Sequence, residues 1–378
     1  MAHKKVIYIT IFALTPQIER YLLIQDVLDA GIPVEYWDLK GIYFKGRHFK
    51  NTLSREYVKE INSFDELKVR LKNEDLKSTV FVLQVYFGWQ VISLYLLMTR
   101  LRCKTVYFPW VAYAREDLTT KIIDKIRPAV FFQTFLNLIA NVCKRAGLIR
   151  KYDLVFVAGR LTGDAFKDHF HVVNINYQDY DYYQLTKNMS QRVVAGEYCV
   201  FLDEGPVYND DVSLLNMQQL DFIKFYESLN NFFSVIEKSF KVKVVIAAHP
   251  GITYEKNIFK GRLSYEGKTC ELVKDSRFVI SQSSTSTSYA VLYRKPIIFV
   301  YTQEYRVKRK ANFRTLEFLS KSLGSKAYNI DSEECIKTLQ VPAVNAVLYD
   351  KYKYSCLTSK ESENRFSKDI VVQALRES

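Results

Sequence analysis

The chain is 378 residues long, 48% hydrophobic and 15% aromatic, which excludes a disordered protein and exceeds what one ordinary core holds, so two domains are expected. Lys plus Arg outnumber Asp plus Glu by 54 to 41, a formal net charge of +13 that favours an anionic partner without choosing among nucleotides, nucleic acid and acidic lipid. Six cysteines without a CxxC pair or zinc spacing argue against a zinc module and fit a reducing cytoplasm.

Residues 4–10 (KKVIYIT) read as a strand, 16–30 as an amphipathic helix stopped by Gly31, and 33–39 (PVEYWDL) as the next strand, a βαβ opening. The apolar run before Thr15-Pro16 is too short for a signal peptide, so export is not expected. A basic loop at 40–50 and a charged helical stretch at 55–74 follow. Then come a buried strand at 79–86, a helix at 89–102 and a strand at 104–108. The uncharged run Ser78 to Thr99 has the length of a membrane span, but Gln84, Gly88 and Gln90 interrupt it, so it reads as strand and helix.

From Glu116 to Arg150 the spacing is helical, with Phe135 and Leu138 beside Lys121, Lys125, Arg127, Lys144 and Arg145. Two readings stand: helices with solvated basic faces packed on a sheet, or a basic amphipathic surface resting on an anionic membrane. A strand at 152–158, a helix, a strand near 171–176 and the run QDYDYYQL close the first half.

A second strand-helix series begins at Tyr198 (YCVFLDEG), with a loop to about 215, a helix at 216–239, a strand at 242–248 ending in HPG, and a short helix at 269–274. Residues 276–300 (SRFVISQSSTSTSYAVLYRKPIIFV) read as strand, turn, helix and strand. Ser283, Ser284 and Thr285 fall where that helix starts, a place that suits either a helix cap or a phosphate. A polar, basic segment at 301–325 and a helix at 360–376 complete the chain. Alternation that occurs twice predicts an α/β protein with two Rossmann-type domains facing a central cleft, 1–190 and 191–345, with 346–378 as a helical tail that can pack back across the domains.

Ligands of open α/β sheets lie beyond the carboxyl ends of the strands. Three polar sets fall there: Asp203-Glu204-Gly205, His249-Pro250-Gly251 and Ser283-Ser284-Thr285. Each alone has a bland reading as a turn, a loop or a cap. Together they supply a base, a cation or acid, and a phosphate cradle. A glycosyl transfer from a nucleotide-activated sugar needs those parts: a carboxylate to take the acceptor proton or attack the sugar, and donors to stabilise the departing phosphate. No metal is required where the protein supplies that positive charge. Asp210-Asp211 reads as a solvated loop pair, and Arg306 and Lys308 are candidate anion contacts.

The ordered combination of a D/E-D/E-G element, an HP element and a Ser/Thr pair resembles the bacterial glycosyltransferases that use CMP-activated ulosonic acids, the sialyl-, polysialyl- and Kdo transferases. The resemblance covers 199–300 by motif. It implies the GT-B fold, with 1–190 on the acceptor side and 191–345 on the donor side, and no cofactor besides the CMP-sugar co-substrate. It also implies that Asp203 or Glu204, with Asp203 the first choice, is the catalytic carboxylate, while His249, Ser283 and Ser284 meet the cytidylate phosphate. In several sialyltransferases the acidic element belongs to the N-terminal domain, whereas here it opens the second half. The run with Asp179 and Asp181 resembles a junction in surface-polysaccharide enzymes.

The expected function is therefore transfer of a CMP-linked ulosonic acid to a capsule or lipopolysaccharide glycan, in the cytoplasm at the inner face of the membrane. The expected partners are a nucleotide-sugar donor, a glycan or glycolipid acceptor and an anionic membrane, not nucleic acid. The alternatives are a UDP-sugar transferase or epimerase on the same fold, and a basic nucleic-acid or membrane-surface binder, for which YRVKRKANFR (305–314) is the best segment.

Overall fold

The computed structural model describes residues 5–46, 52–109, 128–207, 218–250 and 252–377. Lys121, Lys125, Arg127, Asp210, Asp211 and Gly251 lie outside the described residues. The chain divides into two compact units, one formed by residues up to Asn176 together with those from Thr358 onward, the other by Tyr177–Leu357. The border expected at 190 falls instead after Asn176, and the tail expected from 346 is divided between the units, the helix Ala346–Tyr352 in the second and the helix Ser367–Glu377 in the first.

In the first unit, β1 (Lys5–Thr10), β2 (Val34–Asp38), β3 (Val58–Glu60), β4 (Thr79–Gln84), β5 (Lys104–Tyr107), β6 (Leu154–Ala158) and β7 (His171–Ile175) form a parallel sheet in the order β3-β2-β1-β4-β5-β6-β7. Its central strands are apolar on both sides because helices cover both faces. Ile7, Ile9, Trp37 and Phe81 pack into one cluster, and Val6, Tyr8, Tyr36 and Val82 into another, the alternation a strand imposes. Ile370, Val371 and Leu375 of the Ser367–Glu377 helix join the second cluster.

In the second unit, β8 (Tyr198–Leu202), β9 (Lys243–Ala248), β10 (Ser264–Glu266), β11 (Val279–Ser281), β12 (Ile297–Tyr301) and β13 (Ala327–Asn329) form a parallel sheet in the order β10-β9-β8-β11-β12-β13. Each sheet starts near its middle, grows to one side, then returns to its first strand and grows to the other. The order therefore reverses between β1 and β4 and between β8 and β11. The helix Phe222–Phe240 lays Phe225, Leu229, Phe232, Phe233 and Ile236 against Phe201, Val244 and Ile280. Asp221 caps it by accepting the Lys224 N–H at 3.1 Å.

Three short edge or near-edge strands, β3, β10 and β13, were not anticipated. The first helix breaks in two, Pro16–Tyr21 and Ile24–Asp29, where Leu23 adopts a left-handed conformation at φ 53°. The segment 301–325 contains two helices, Gln303–Lys308 and Lys310–Ser322. Its polar composition is the solvent side of helices whose Tyr305, Leu316 and Leu319 are buried.

Candidate functional site

β9, β8 and β11 are neighbours in one parallel sheet, and Leu202 pairs with both Ala247 and Ser281, so their carboxyl ends stand level. One residue further brings out Asp203, Ala248 and Gln282, and the next Glu204, His249 and Ser283. The three sequence-predicted sets thus emerge side by side, with the two acidic residues at the β8–β11 reversal. Such a reversal is where open α/β sheets bind ligands.

Asp203 is buried, 5% exposed. Its Oδ1 accepts the Gly205 N–H at 3.0 Å and its Oδ2 accepts the Tyr254 hydroxyl at 2.6 Å. The same Tyr254 oxygen accepts the backbone N–H of His249 at 3.0 Å. One tyrosine thereby ties the acidic element to the histidine loop. Burial pushes the Asp203 carboxyl above its usual range, and the bonds from Tyr254 and Gly205 oppose that push.

Glu204 reaches the other way, across the reversal. Its Oε1 accepts the Ser283 N–H at 3.2 Å and the Tyr305 hydroxyl at 2.7 Å, while Oε2 accepts the Ser283 hydroxyl at 2.7 Å. Asn312 Nδ2 donates to the Ser283 oxygen at 3.4 Å. Burial raises the Glu204 carboxyl as well; Ser283 and Tyr305 oppose the rise and the neighbouring Asp203 charge adds to it. Two carboxylates held above the ordinary range at the carboxyl edge of a parallel sheet are suited to proton transfer.

Gly205 makes the turn between these tethers feasible. It sits at φ +53°, a left-handed backbone angle that favours glycine, and a Cβ there would also push aside the end of the Ile252 side chain, 2.0 Å away at Cδ1. Beyond it, the buried guanidinium of Arg309 donates to the Pro206 carbonyl at 3.0 Å and to the Gln218 carbonyl. It thus holds both flanks of the segment that follows the acidic element.

The serine-rich stretch resolves into separate jobs. The helix it precedes is Thr287–Leu292, starting later than expected, and Ser286 at its N-cap makes no side-chain cap bond. The cap reading for Ser283 and Ser284 is therefore corrected: Ser283 is engaged by Glu204, and Ser284 Oγ accepts the Ser286 N–H at 3.3 Å in a turn. Ser284 is half-buried and Thr285 exposed. Ser281 bonds Thr287 at 2.9 Å. Gln282 between them is fully buried, and neither its Nε2 nor its Oε1 has a partner among the described residues.

Ser288 is a packing residue: its hydroxyl donates to Asp179, in the helix Gln178–Thr186 formed by the QDYDYYQL run. Asp179 is 8% exposed, and burial pushes its carboxyl up to about 6 against bonds from Ser288 and Tyr289. Asp181, on the same helix, is half-buried.

His249 is half-buried and Pro250 exposed. Lys308 Nζ is taken by Glu304 at 2.5 Å and by the Gln219 carbonyl at 2.9 Å, and the Arg306 guanidinium lies 5.5 Å from the Phe313 ring centroid. Both are held locally. Tyr254 has no place in the sequence reading, and Tyr305 and Arg309 enter it only within the basic segment 305–314; no local pattern marks any of the three as part of this site. Among the described residues no group of three or more His, Cys, Asp and Glu side chains is placed to hold a metal, and no helix is long and apolar enough to cross a membrane.

No protein-family model matches the sequence, and no curated protein matches it. Solved structures do match in fold. The Arabidopsis thaliana UGT89C1 structure complexed with UDP is 10% identical, with a TM-score of 0.51 and 99% of both chains covered. Its UDP-L-rhamnose complex is 8% identical, with a TM-score of 0.50, covering 99% of this chain and 100% of that one. The Methanocaldococcus jannaschii UDP-GlcNAc 2-epimerase in complex with UDP-GlcNAc and UDP is 12% identical at a TM-score of 0.48, with 99% of both chains covered. The two parallel Rossmann-like sheets of seven and six strands are thus those of the GT-B fold.

Proposed function

We propose that the chain is a glycosyltransferase that moves a CMP-activated ulosonic acid onto a bacterial capsule or lipopolysaccharide glycan at the inner face of the cytoplasmic membrane. The observation that carries the proposal is the junction at the β8–β11 reversal, where Glu204 is tied to Ser283 and Asp203 is tied through Tyr254 to the His249 backbone. In this reading a carboxylate of the Asp203-Glu204 pair takes the proton of the acceptor hydroxyl. The acceptor oxygen bonds to the anomeric carbon, and the bond from that carbon to the phosphate oxygen breaks, releasing CMP. His249, Ser284 and Thr285, with Pro250 and Gly251 shaping the loop, face the leaving phosphate. Ser283 is engaged with Glu204 and holds the pair in place. Arg306 and Lys308 are proposed to contact the donor carboxylate or an anionic acceptor once released from their local partners.

The order of the three motifs supports this reading; the place of the acidic element in the second unit departs from several sialyltransferases. A second reading, transfer or epimerisation of a UDP-sugar, is favoured by the UDP complexes of the plant structure that shares the fold. Thermal unfolding with CMP and with UDP separates the two. CMP is expected to raise the midpoint more than UDP at equal concentration, and His249→Ala and Ser284→Ala to reduce that rise. A larger rise with UDP would move the assignment to the second reading.

A further inference from the structure

The helix Pro128–Arg145 is amphipathic, and the face it turns to its own unit carries an asparagine and a lysine. Asn137 Oδ1 accepts the Trp89 N–H at 2.9 Å, Ala140 is fully buried, and Lys144 Nζ lies 5.0 Å from the Phe87 ring centroid and 5.8 Å from that of Tyr152. Those three positions are spaced i, i+3, i+7 and share one face. Phe135, Leu138 and Val142 have the same spacing on the opposite face, and they are 51%, 60% and 56% exposed. Burial lowers the Lys144 ammonium below its usual range. The first unit thus covers a lysine and leaves a row of large apolar side chains in water, the reverse of a helix that packs only on its own sheet.

We propose that this outward face docks on an anionic lipid bilayer. Charge selects the occupant. From Pro128 to Lys151 the sequence holds no acidic residue; of its four basic ones Lys144 is turned inward and Arg150 pairs with Asp153, which leaves Arg145 and Lys151, within a chain of net charge +13. Arg145, three places after Val142 and seven after Leu138, continues the same outward row and is exposed, as is Lys151. Trp89, held beside the helix by Asn137, is 37% exposed and supplies the kind of aromatic ring that settles at a bilayer interface. An apolar stripe with a basic end and a neighbouring tryptophan matches an interfacial helix that lies in the plane of acidic headgroups. The inference shares with the proposed function only the membrane setting; the face itself is argued from its side chains.

The test is flotation of the full chain with vesicles of phosphatidylcholine alone and of phosphatidylcholine containing one-third phosphatidylglycerol, with no nucleotide sugar present. The chain is expected to float with the anionic vesicles at low salt, at least about tenfold more tightly than with the neutral ones, and to be released by high salt. Leu138→Glu is expected to abolish flotation, and Arg145→Glu to weaken it about fivefold or more. Both positions are exposed, so circular dichroism and the unfolding midpoint should not change; if Leu138→Glu does perturb folding, Val142→Gln serves in its place. Equal binding to both vesicles, flotation unaffected by these variants, or absence of flotation would overturn the proposal. So would a dimer dissolved by Leu138→Glu, which would make a second copy the occupant. Because no donor is present, failure here leaves the nucleotide-site reading untouched, and failure of CMP binding leaves this one untouched.

Discussion

Asp203 and Glu204 are adjacent in sequence but tethered in opposite directions, and the two tethers make their roles separable. The Tyr254 hydroxyl holds the Asp203 carboxyl down, and the Tyr305 hydroxyl does the same for Glu204. Removing either hydroxyl takes a donor from one buried carboxylate and lets that group's affinity for a proton rise. If Asp203 is the base, Tyr254→Phe should move the acid limb of the kcat/KM profile to higher pH while Tyr305→Phe leaves it in place. If Glu204 is the base, the two variants exchange behaviours. A limb that neither variant moves would remove both carboxylates from the proton-transfer role. In the wild type the limb should already stand above the ordinary carboxylate range, because burial raises both groups.

At the scale of elements, the Gln178–Thr186 helix and the serine-rich Thr287–Leu292 helix are joined by a buried acid. Asp179 holds its proton more tightly folded, at about 6, than its ordinary value of 3.8. The folded state therefore binds more protons than the unfolded state between those values, and the Asp179 contribution to stability falls as pH rises from 4 to 6 and is level above. The difference amounts to about 3 kcal/mol. Urea unfolding of Asp179→Asn and wild type across pH 4 to 7 should give a difference curve with that slope; parallel curves would contradict it. Buried carboxylates such as this one were not legible as buried, because QDYDYYQL reads locally as a polar helix. The same limit explains the three missed strands. β3 (VKE), β10 (SYE) and β13 (AYN) are three residues each and largely half-buried or exposed, so no apolar run betrays them. The buried strands at β1, β4, β8 and β9 were legible because helices on both sides require continuous apolar runs.

At the scale of the whole molecule, the repeated strand-helix alternation was sufficient to read two Rossmann-type sheets, since short right-handed crossovers leave few other topologies. What the alternation could not carry was the wiring of the site. Tyr254 and Tyr305 are two among 27 tyrosines, and only tertiary packing singles them out. Arg309 follows two basic residues that look more available, yet it alone of the three is buried against the loop flanks. The strand ends were readable because a sheet of this order presents Asp203-Glu204, His249 and Ser283 at one edge whatever their partners. The central claim is that this edge handles a CMP-ulosonic acid. The most direct measurement is CMP release from CMP-sialic acid and CMP-Kdo, in the presence of bacterial glycan acceptors, by the wild-type chain and by Asp203→Asn, Glu204→Gln and His249→Ala. CMP release is expected with at least one of these donors, reduced by ~10² or more in the variant that removes the acting group. Release of UDP from UDP-sugars with no CMP from either CMP-sugar would contradict it.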